Sequence, residues 1–135
     1  MSELLSSLNW LSVIVATIVY FVLGALWYSV LFGKIWMKLR NLTEEDIGDP
    51  NPTIYLYSFI LQFIAVVSLA LFITALGVNT AGSGALIGFG VGAGFILTLA
   101  GSTGIFTDLP MKLHFLDNGY HVVGLILAGL ILGWW

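Results

Sequence analysis

The chain alternates between four long apolar stretches and three shorter connections. The apolar stretches cover about residues 8–32, 53–76, 83–106 and 118–135, and the first of them contains no charged residue. A helix needs roughly 20 apolar residues to cross the hydrocarbon core of a bilayer. The pattern therefore predicts an all-α fold in which residues 1–135 form one domain, a bundle of four transmembrane helices. The fourth helix is short unless it starts before residue 118, near Lys112.

The first connection contains two local signals for helix starts. Thr43 is followed by three acidic residues, which favour the first turn of a helix, and Gly48 is a natural stop. We therefore expect a short surface helix over residues 43–47. Asn51 and Pro52 fit an N-cap and a first helical position, and they predict where the second long helix begins.

The basic residues indicate the orientation of the chain in a membrane. Lys34, Lys38 and Arg40 lie in the first connection, and Lys112 lies in the third. The second connection, residues 77–82, is short and uncharged, and it predicts an antiparallel hairpin, so the first and third connections share one side. The positive-inside rule makes this side cytoplasmic. Both termini are then expected on the non-cytoplasmic side.

Glycine is concentrated in the third apolar stretch. At about 100° per residue the glycines fall on two faces of a helix. The predicted helix-packing residues are Gly84, Gly88 and Gly92 on one face, and Gly90, Gly94 and Gly101 on the other. Small residues let membrane helices approach closely, which predicts that this helix is the packing centre. Either both faces pack inside one bundle, or one face contacts a second copy of the protein. A pore has less support, because little polarity accompanies the glycines.

Four polar residues are candidate binding residues: Gln62, Asp117, Tyr120 and His121. Gln62 shares a helix face with Ser58, and an amide inside a bilayer must find a partner. That partner is either a neighbouring helix or a substrate. Tyr120 and His121 are expected near the cytoplasmic interface, as anchors or, for His121 with Asp117, as groups that handle protons.

His114, Asp117 and His121 have the spacing of a metal-binding set on one continuous helix. However, residues 118–119 are Asn-Gly, which can break the helix and make Asp117 the N-cap of the last stretch. The three side chains would then no longer share a face. We therefore predict no metal site and no cofactor. The chain contains no P-loop, nucleophile elbow, HExxH or dinucleotide motif, so we also predict no catalytic residue.

Composition limits the partners. The chain is 59% hydrophobic and only 8% charged, whereas a soluble domain has about 25% charged residues. The net charge is −3 with four basic residues, which argues against nucleic acid as a partner. The absence of cysteine excludes disulfides and thiol chemistry. The expected partners are the lipid bilayer and either a second copy or another membrane protein.

Two segments resemble the motifs of a known family. Residues 24–29 (GALWYS), continuing through residues 31–37 (LFGKIWM), are similar to its opening motif, and residues 112–121 (KLHFLDNGYH) are similar to its second motif. These segments resemble the domain-of-unknown-function 1761 family of small multi-pass membrane proteins. The resemblance covers residues 10–135. It implies four spans in a prokaryotic plasma or inner membrane, and it brings no catalytic residues.

Together these observations favour a non-enzymatic multi-pass membrane protein, an oligomeric scaffold or an accessory subunit of a membrane complex. The alternative is a small oligomeric transporter or channel. The residues for its pathway would be Gln62, Ser102, Thr103 and Asp108. Transporters usually place ionisable residues inside the membrane, whereas here these residues are expected only at the helix ends. A metal- or haem-binding enzyme using His114 and His121 has the least support.

Overall fold

The computed structural model describes residues 2–49 and 51–135, which contain helices and no β-strand. The helices in chain order are α1 (Ser2–Ser7), α2 (Trp10–Leu31), α3 (Gly33–Arg40), α4 (Glu44–Ile47), α5 (Pro52–Ala75), α6 (Ala81–Phe106) and α7 (Met111–Trp134). Of these, α2, α5, α6 and α7 are long and apolar enough to cross a bilayer. The all-α fold and the four long apolar helices predicted from the sequence are confirmed.

Local side-chain hydrogen bonds define several helix starts. The Asn51 side chain accepts a hydrogen bond from the Thr53 N–H, and Pro52 occupies the first helical position of α5. The Asp46 carboxylate accepts a hydrogen bond from the Thr43 N–H at 2.7 Å, and Gly48 follows α4 with a φ of 62°. Both helix starts predicted in the first connection are therefore confirmed.

The last helix begins at Met111 and continues without a break to Trp134. Its start agrees with the earlier of the two predicted positions, near Lys112, and Asp117 is not its N-cap. The Asn118 side chain donates a hydrogen bond to the His114 carbonyl at 2.9 Å, so it is accommodated inside the helix instead of ending it. This correction places Asp117, Tyr120 and His121 along α7 and not at its start.

The packing centre of the bundle is α7, which contacts α2, α5 and α6. The prediction that the third long helix is the centre is wrong, because α6 packs chiefly on α7 and only slightly on α5. The reason lies in the glycines of α7. Gly124 makes room for the ring of Tyr20 from α2, while Gly129 and Gly133 lie against the backbone of α6. Small residues on two sides of α7 allow two neighbours to approach it closely.

One of the two predicted glycine faces of α6 lies in this interface. Gly84 and Gly88 are buried, and a Cβ on either would overlap a carbonyl oxygen of α7, that of Gly129 or of Leu125. Gly92 is also buried and lies against Val122. These contacts bring the two backbones together along the helices.

The second predicted face is divided in the structure. Gly90 and Gly94 are exposed, and no described atom lies within 4 Å of a Cβ built on either. Gly101 instead lies against the His114 ring. A π-helical segment, Gly92–Leu97, contains Gly94 and precedes Gly101. Its wider turn rotates the following residues relative to the regular 100° spacing, and this accounts for the division.

Candidate functional site

A group of buried and partly buried polar side chains lies where α2, α5 and α7 meet. The group, which we call the tyrosine cluster, consists of Tyr20, Tyr28, Gln62, Tyr120 and His121. Tyr120 is its centre, because its ring centroid lies 5.4 Å from that of Tyr20 and 5.7 Å from that of Tyr28. Tyr120 is 9 residues into α7, about 14 Å from the helix start at 1.5 Å per residue. The predicted position of Tyr120 near the cytoplasmic interface stays a prediction.

Gln62 and Tyr120 form a hydrogen bond between α5 and α7. The Gln62 side chain is buried, with 8% of its surface exposed, and its Nε2 donates to the Tyr120 hydroxyl. Its Oε1 has no hydrogen-bond partner among the residues that the structure describes. If the amide is turned over, Oε1 accepts from Tyr120 and the amino group loses its partner instead. In both orientations one amide atom of Gln62 is left without a partner.

Two glycines make room for the tyrosine rings. A Cβ on Gly124 would overlap the Tyr20 ring, and a Cβ on Gly24 would lie 2.9 Å from the Tyr120 hydroxyl. Tyr20 thereby reaches His121, and its hydroxyl lies 2.8 Å from His121 Nδ1. This hydrogen bond connects α2 to α7 on the other side of Tyr120.

The tyrosine cluster is linked to the end of the bundle where α2 connects to α5, which we call the loop end. The Tyr28 hydroxyl donates to Asp117 Oδ1 at 3.0 Å, and Asp117 Oδ2 lies 3.5 Å from Arg40 Nη2 of α3. The Arg40 guanidinium in turn lies over the Trp36 ring, 5.4 Å from its centroid. Asp117 therefore joins three helices, although the ion pair itself is partly exposed.

A π-helical segment at the end of α2, Trp27–Leu31, helps to form this link. Two consecutive side chains of the segment reach α7. The Trp27 indole N–H donates to the Leu116 carbonyl at 3.1 Å, and Tyr28 donates to Asp117. π-Helical segments are often found at functional sites, where the wider turn changes the direction of side chains.

Two clefts are lined by both members of the Gln62–Tyr120 pair. The first cleft, of about 420 Å³, is lined by Phe21, Gly24, Ala25, Tyr28, Ser29, Tyr55, Ser58, Gln62 and Tyr120. The second cleft, of about 390 Å³, is lined by Tyr20, Ser58, Leu61, Gln62, Ala65, Ile96, Tyr120 and His121. Ser58, Gln62 and Tyr120 line both. The first cleft has no acidic, basic or histidine side chain in its lining.

The structure brings most of the candidate binding residues together. Gln62, Tyr120 and His121 belong to the tyrosine cluster, and Asp117 is joined to it through Tyr28. The sequence interpretation did not include Tyr20 or Tyr28 among the candidate binding residues. The signal available for Tyr20 was its hydroxyl group in the middle of an otherwise apolar stretch, since such a group needs a partner.

The histidines and Asp117 of α7 face three different neighbours. The His114 ring lies against Gly101 and bonds to Asn118, while His121 bonds to Tyr20. Asp117 faces Tyr28 and Arg40. Their spacing of three and four residues therefore does not produce one shared set of ligands.

The residues considered for a transport pathway are also separated. Thr103 lines a third cleft, of about 350 Å³, together with His114 and Asp117, whereas Gln62 lines the first two. Ser102 is exposed, and Asp108 lies in the connection before α7 with a φ of 52°. However, Asp117 and His121 lie within α7 and not at its end, so the expected restriction of ionisable residues to the helix ends does not hold.

The architecture and the site together define a class. Four helices of this length and apolarity, with polar side chains paired inside the bundle, are compatible with a multi-pass membrane protein. The family described as "Protein of unknown function (DUF1761)" matches residues 11–133, and the chain belongs to this family. The resemblance to this family is thus confirmed. Comparisons with curated proteins and with solved structures find no match.

Proposed function

We propose that this chain is a non-enzymatic multi-pass membrane protein that binds a lipid-soluble molecule in the first cleft. The observation that carries the proposal is the Gln62 amide, which is buried, lines the first and second clefts, and has one atom without a partner among the described residues. A buried polar atom without a hydrogen bond costs about 1–3 kcal/mol. A ligand that supplies the missing hydrogen bond recovers this free energy.

The lining of the first cleft supports binding in preference to catalysis. Aromatic rings and small side chains form most of the walls, and the polar groups belong to Ser29, Ser58, Gln62 and three tyrosines. Ligand sites are typically apolar with a few polar groups that orient the ligand. Ala25 and Ser29 are exposed on the α2 side of the cleft, so a molecule dissolved in the bilayer would have access from the side.

The proposed location is a prokaryotic plasma or inner membrane, with the loop end in the cytoplasm. The position of all four basic residues in the first and third connections supports this orientation. Alkaline phosphatase, which is active only outside the cytoplasm, is expected to be active when fused after Trp135. If a reporter that works only in the cytoplasm is active when fused to the C-terminus, the proposed orientation is contradicted.

Photolabelling tests the proposed binding. The protein in lipid nanodiscs is exposed to a dodecyl alcohol that carries a diazirine in the middle of its chain, and labelled peptides are identified by mass spectrometry. We expect saturable labelling of the α2 and α5 residues that line the first cleft. Labelling that never saturates and is spread over the exposed faces of all four long helices would contradict the proposal.

A matched pair of variants locates the labelling. Ala25→Leu fills the first cleft without removing a polar contact, and it is expected to reduce the saturable labelling about tenfold, the equivalent of about 1.4 kcal/mol. Val30→Leu adds a methylene on the same helix at a position that is 77% exposed and does not line the first cleft. It should leave the labelling unchanged.

A scaffold or accessory subunit remains a second proposal, supported by the free glycine face of α6. Gly90 and Gly94 have no described atom near their Cβ positions. Gly90 lines an apolar groove of about 420 Å³ with Phe72, Leu76, Ile87, Val91 and Phe95. A helix of a second copy or of another membrane protein would gain close backbone contact there.

The oligomeric state in mild detergent tests the second proposal. Native mass spectrometry is expected to find an oligomer that dissociates when Gly90 and Gly94 are both replaced by Leu. Gly82→Leu is the control, because it also adds a side chain in open space on α6. A wild-type protein that is monomeric, or an oligomer that survives the double substitution, would argue against this interface.

A further inference from the structure

We infer that α3 lies in the headgroup layer of the membrane and that Lys34 and Lys38 on its outer face bind the phosphate groups of anionic phospholipids. The inference rests on the proposed membrane location, but it does not depend on a ligand in the first cleft. Three features of the described residues carry it: the path of α3 across the loop end, the composition of its outer face, and the lack of an acidic partner for the two lysines.

The first feature is the path of α3 across the loop end. The chain changes direction at Phe32, whose φ of −129° and ψ of 4° are not helical. A straight continuation of α2 would carry Arg40 about 18 Å past Tyr28 along the helix axis. Instead, Arg40 pairs with Asp117, the carboxylate that also accepts the hydrogen bond from Tyr28. Since α3 also contacts α7, it runs across the end of the bundle and not away from it.

The depth of α3 follows from the residues before it. Val30 and Leu31, the last two residues of α2, are apolar and exposed. Their surface suits acyl chains in preference to water. α3 begins at Gly33, two residues after Leu31. The helix therefore starts where the apolar surface of α2 ends, which is the depth of the lipid headgroups.

The second feature is the outer face of α3. Gly33 is buried, whereas Lys34, Ile35 and Lys38 are exposed. At about 100° per residue, Lys34 and Lys38 form one row along the helix, and Ile35 and the half-buried Leu39 form the next row. A helix that lies in a membrane interface has this composition, because its apolar side chains enter the acyl boundary while its basic side chains meet the headgroups.

The third feature is the lack of an acidic partner for the two lysines. The Arg40–Asp117 contact is the only ion pair among the residues that the structure describes, so Lys34 and Lys38 are free to bind a ligand. Their Cα atoms are about 6 Å apart along the helix axis, which allows both ammonium groups to reach one phosphate or two adjacent ones. An acidic protein partner would match the basic row alone, whereas a bilayer with anionic lipids matches the basic and the apolar rows together.

Lipid binding to the purified protein tests the inference. Native mass spectrometry in detergent compares phosphatidylglycerol with phosphatidylcholine of the same acyl chains. We expect phosphatidylglycerol to bind at least tenfold better, since each lysine contributes about fivefold at an anionic surface. Equal binding of the two lipids would overturn the inference. Tighter binding of a hexaglutamate peptide than of phosphatidylglycerol would also overturn it, and would assign the face to an acidic protein.

A matched pair of variants locates the lipid contact on α3. Lys38→Gln removes one ammonium group from the outer face, and it should weaken the binding of phosphatidylglycerol about fivefold. Lys112→Gln is the control, because it removes an exposed ammonium group at the start of α7 and leaves α3 intact. It should leave the binding nearly unchanged. Equal losses in the two variants would show a general attraction to the loop end and would refute a site on α3.

Spin labels measure the depth of α3 independently of lipid selectivity. The chain contains no cysteine, so a single introduced cysteine carries the label. In nanodiscs, the label of Ile35→Cys should be more accessible to oxygen, which concentrates in lipid, than to a water-soluble nickel chelate. Ile47→Cys on the acidic helix α4 is the matched control, because Ile35 and Ile47 are 52% and 53% exposed. Its label should show the opposite preference, and the same preference for the chelate at Ile35 would refute the depth of α3.

A third label separates this inference from the proposed membrane location. Ile18 is 47% exposed on α2, and the label of Ile18→Cys should be accessible to oxygen alone. Oxygen access at Ile18 together with chelate access at Ile35 removes the interfacial α3 but keeps the membrane location. Chelate access at Ile18 removes both.

Discussion

The Tyr28 hydroxyl donates a hydrogen bond to Asp117 Oδ1 at 3.0 Å, and this bond joins the wall of the first cleft to the surface of the protein. The second carboxylate oxygen of Asp117 pairs with Arg40 on the short helix α3. A movement of α3 would therefore shift Asp117 and, through the hydrogen bond, the Tyr28 hydroxyl. The strength of the two contacts can be measured separately, because a different oxygen of Asp117 makes each of them.

Loss of the Arg40–Asp117 ion pair is expected to have a small effect on stability. The two side chains are 46% and 28% exposed, and exposed pairs typically contribute less than about 1 kcal/mol. Arg40→Gln should therefore lower the free energy of unfolding by less than about 1 kcal/mol, as measured by denaturation in detergent. Asp117→Leu should lower the free energy of unfolding by more than Arg40→Gln does, because it also leaves the Tyr28 hydroxyl without its acceptor. Equal effects of the two substitutions would show that the Tyr28 bond contributes nothing.

Two glycines of α6 that lie six positions apart are expected to respond differently to a larger side chain. Gly84→Val places a Cβ against the Gly129 carbonyl, and such overpacking typically costs 1–3 kcal/mol or more. Gly90→Val meets open space and should leave the thermal unfolding of the monomer nearly unchanged. Thermal unfolding in detergent checks both variants. A Gly84→Val protein as stable as Gly90→Val would contradict the close contact between α6 and α7.

The hydrogen bond between Tyr20 and His121 should contribute measurably to stability. Tyr20 is 2% exposed, and Tyr20→Phe removes only the hydroxyl that lies 2.8 Å from His121 Nδ1. We expect a loss of about 1–2 kcal/mol, because the imidazole nitrogen remains part-buried without its partner. Tyr57→Phe is the control, since Tyr57 is 63% exposed. If both substitutions have the same small effect, the buried hydrogen bond does not stabilise the bundle.

The short helix α4 should depend on pH through Asp46. Hydrogen bonds from the Thr43 hydroxyl and backbone N–H hold the pKa of the Asp46 carboxyl below its ordinary value. A lowered pKa in the folded state means that the carboxylate stabilises α4 fully above the ordinary pKa of about 3.9. This stabilisation is lost as the pH falls through the lower, folded-state value.

Amide NMR shifts of residues 44–47 during an acid titration measure this effect. They should move toward values of unfolded chain only at acidic pH. Asp46→Asn should fray α4 at neutral pH and weaken the dependence on acid. Glu45→Gln is the control, because the Thr43 N–H and hydroxyl both donate to Asp46 and no hydrogen bond from Thr43 to Glu45 is present among the described residues. An α4 that stays ordered at every pH would contradict the role of Asp46.

The sequence by itself determined the four long helices and one short helix of the first connection, but not α1, α3 or the π-helical segments. Hydropathy summed over about 20 residues is a local property, so the four long helices could be predicted without knowing their neighbours. The starts of α4 and α5 were predictable for the same reason, because Asp46 and Asn51 bond to backbone groups two or three residues away. The need of Gln62 for a partner also followed from its position in an apolar stretch.

The tertiary structure decided which faces meet. Tyr120, the partner of Gln62, is 58 residues away in the chain, and nothing local distinguishes it from Tyr55 or Tyr57. The choice depends on how each helix is rotated about its axis. The glycine contacts fix how α6 and α7 face each other, and the two π-helical segments change the direction of side chains in α2 and α6 in a way that no regular 100° pattern describes. Only the packed bundle therefore brings Gln62, Tyr120 and the first cleft together.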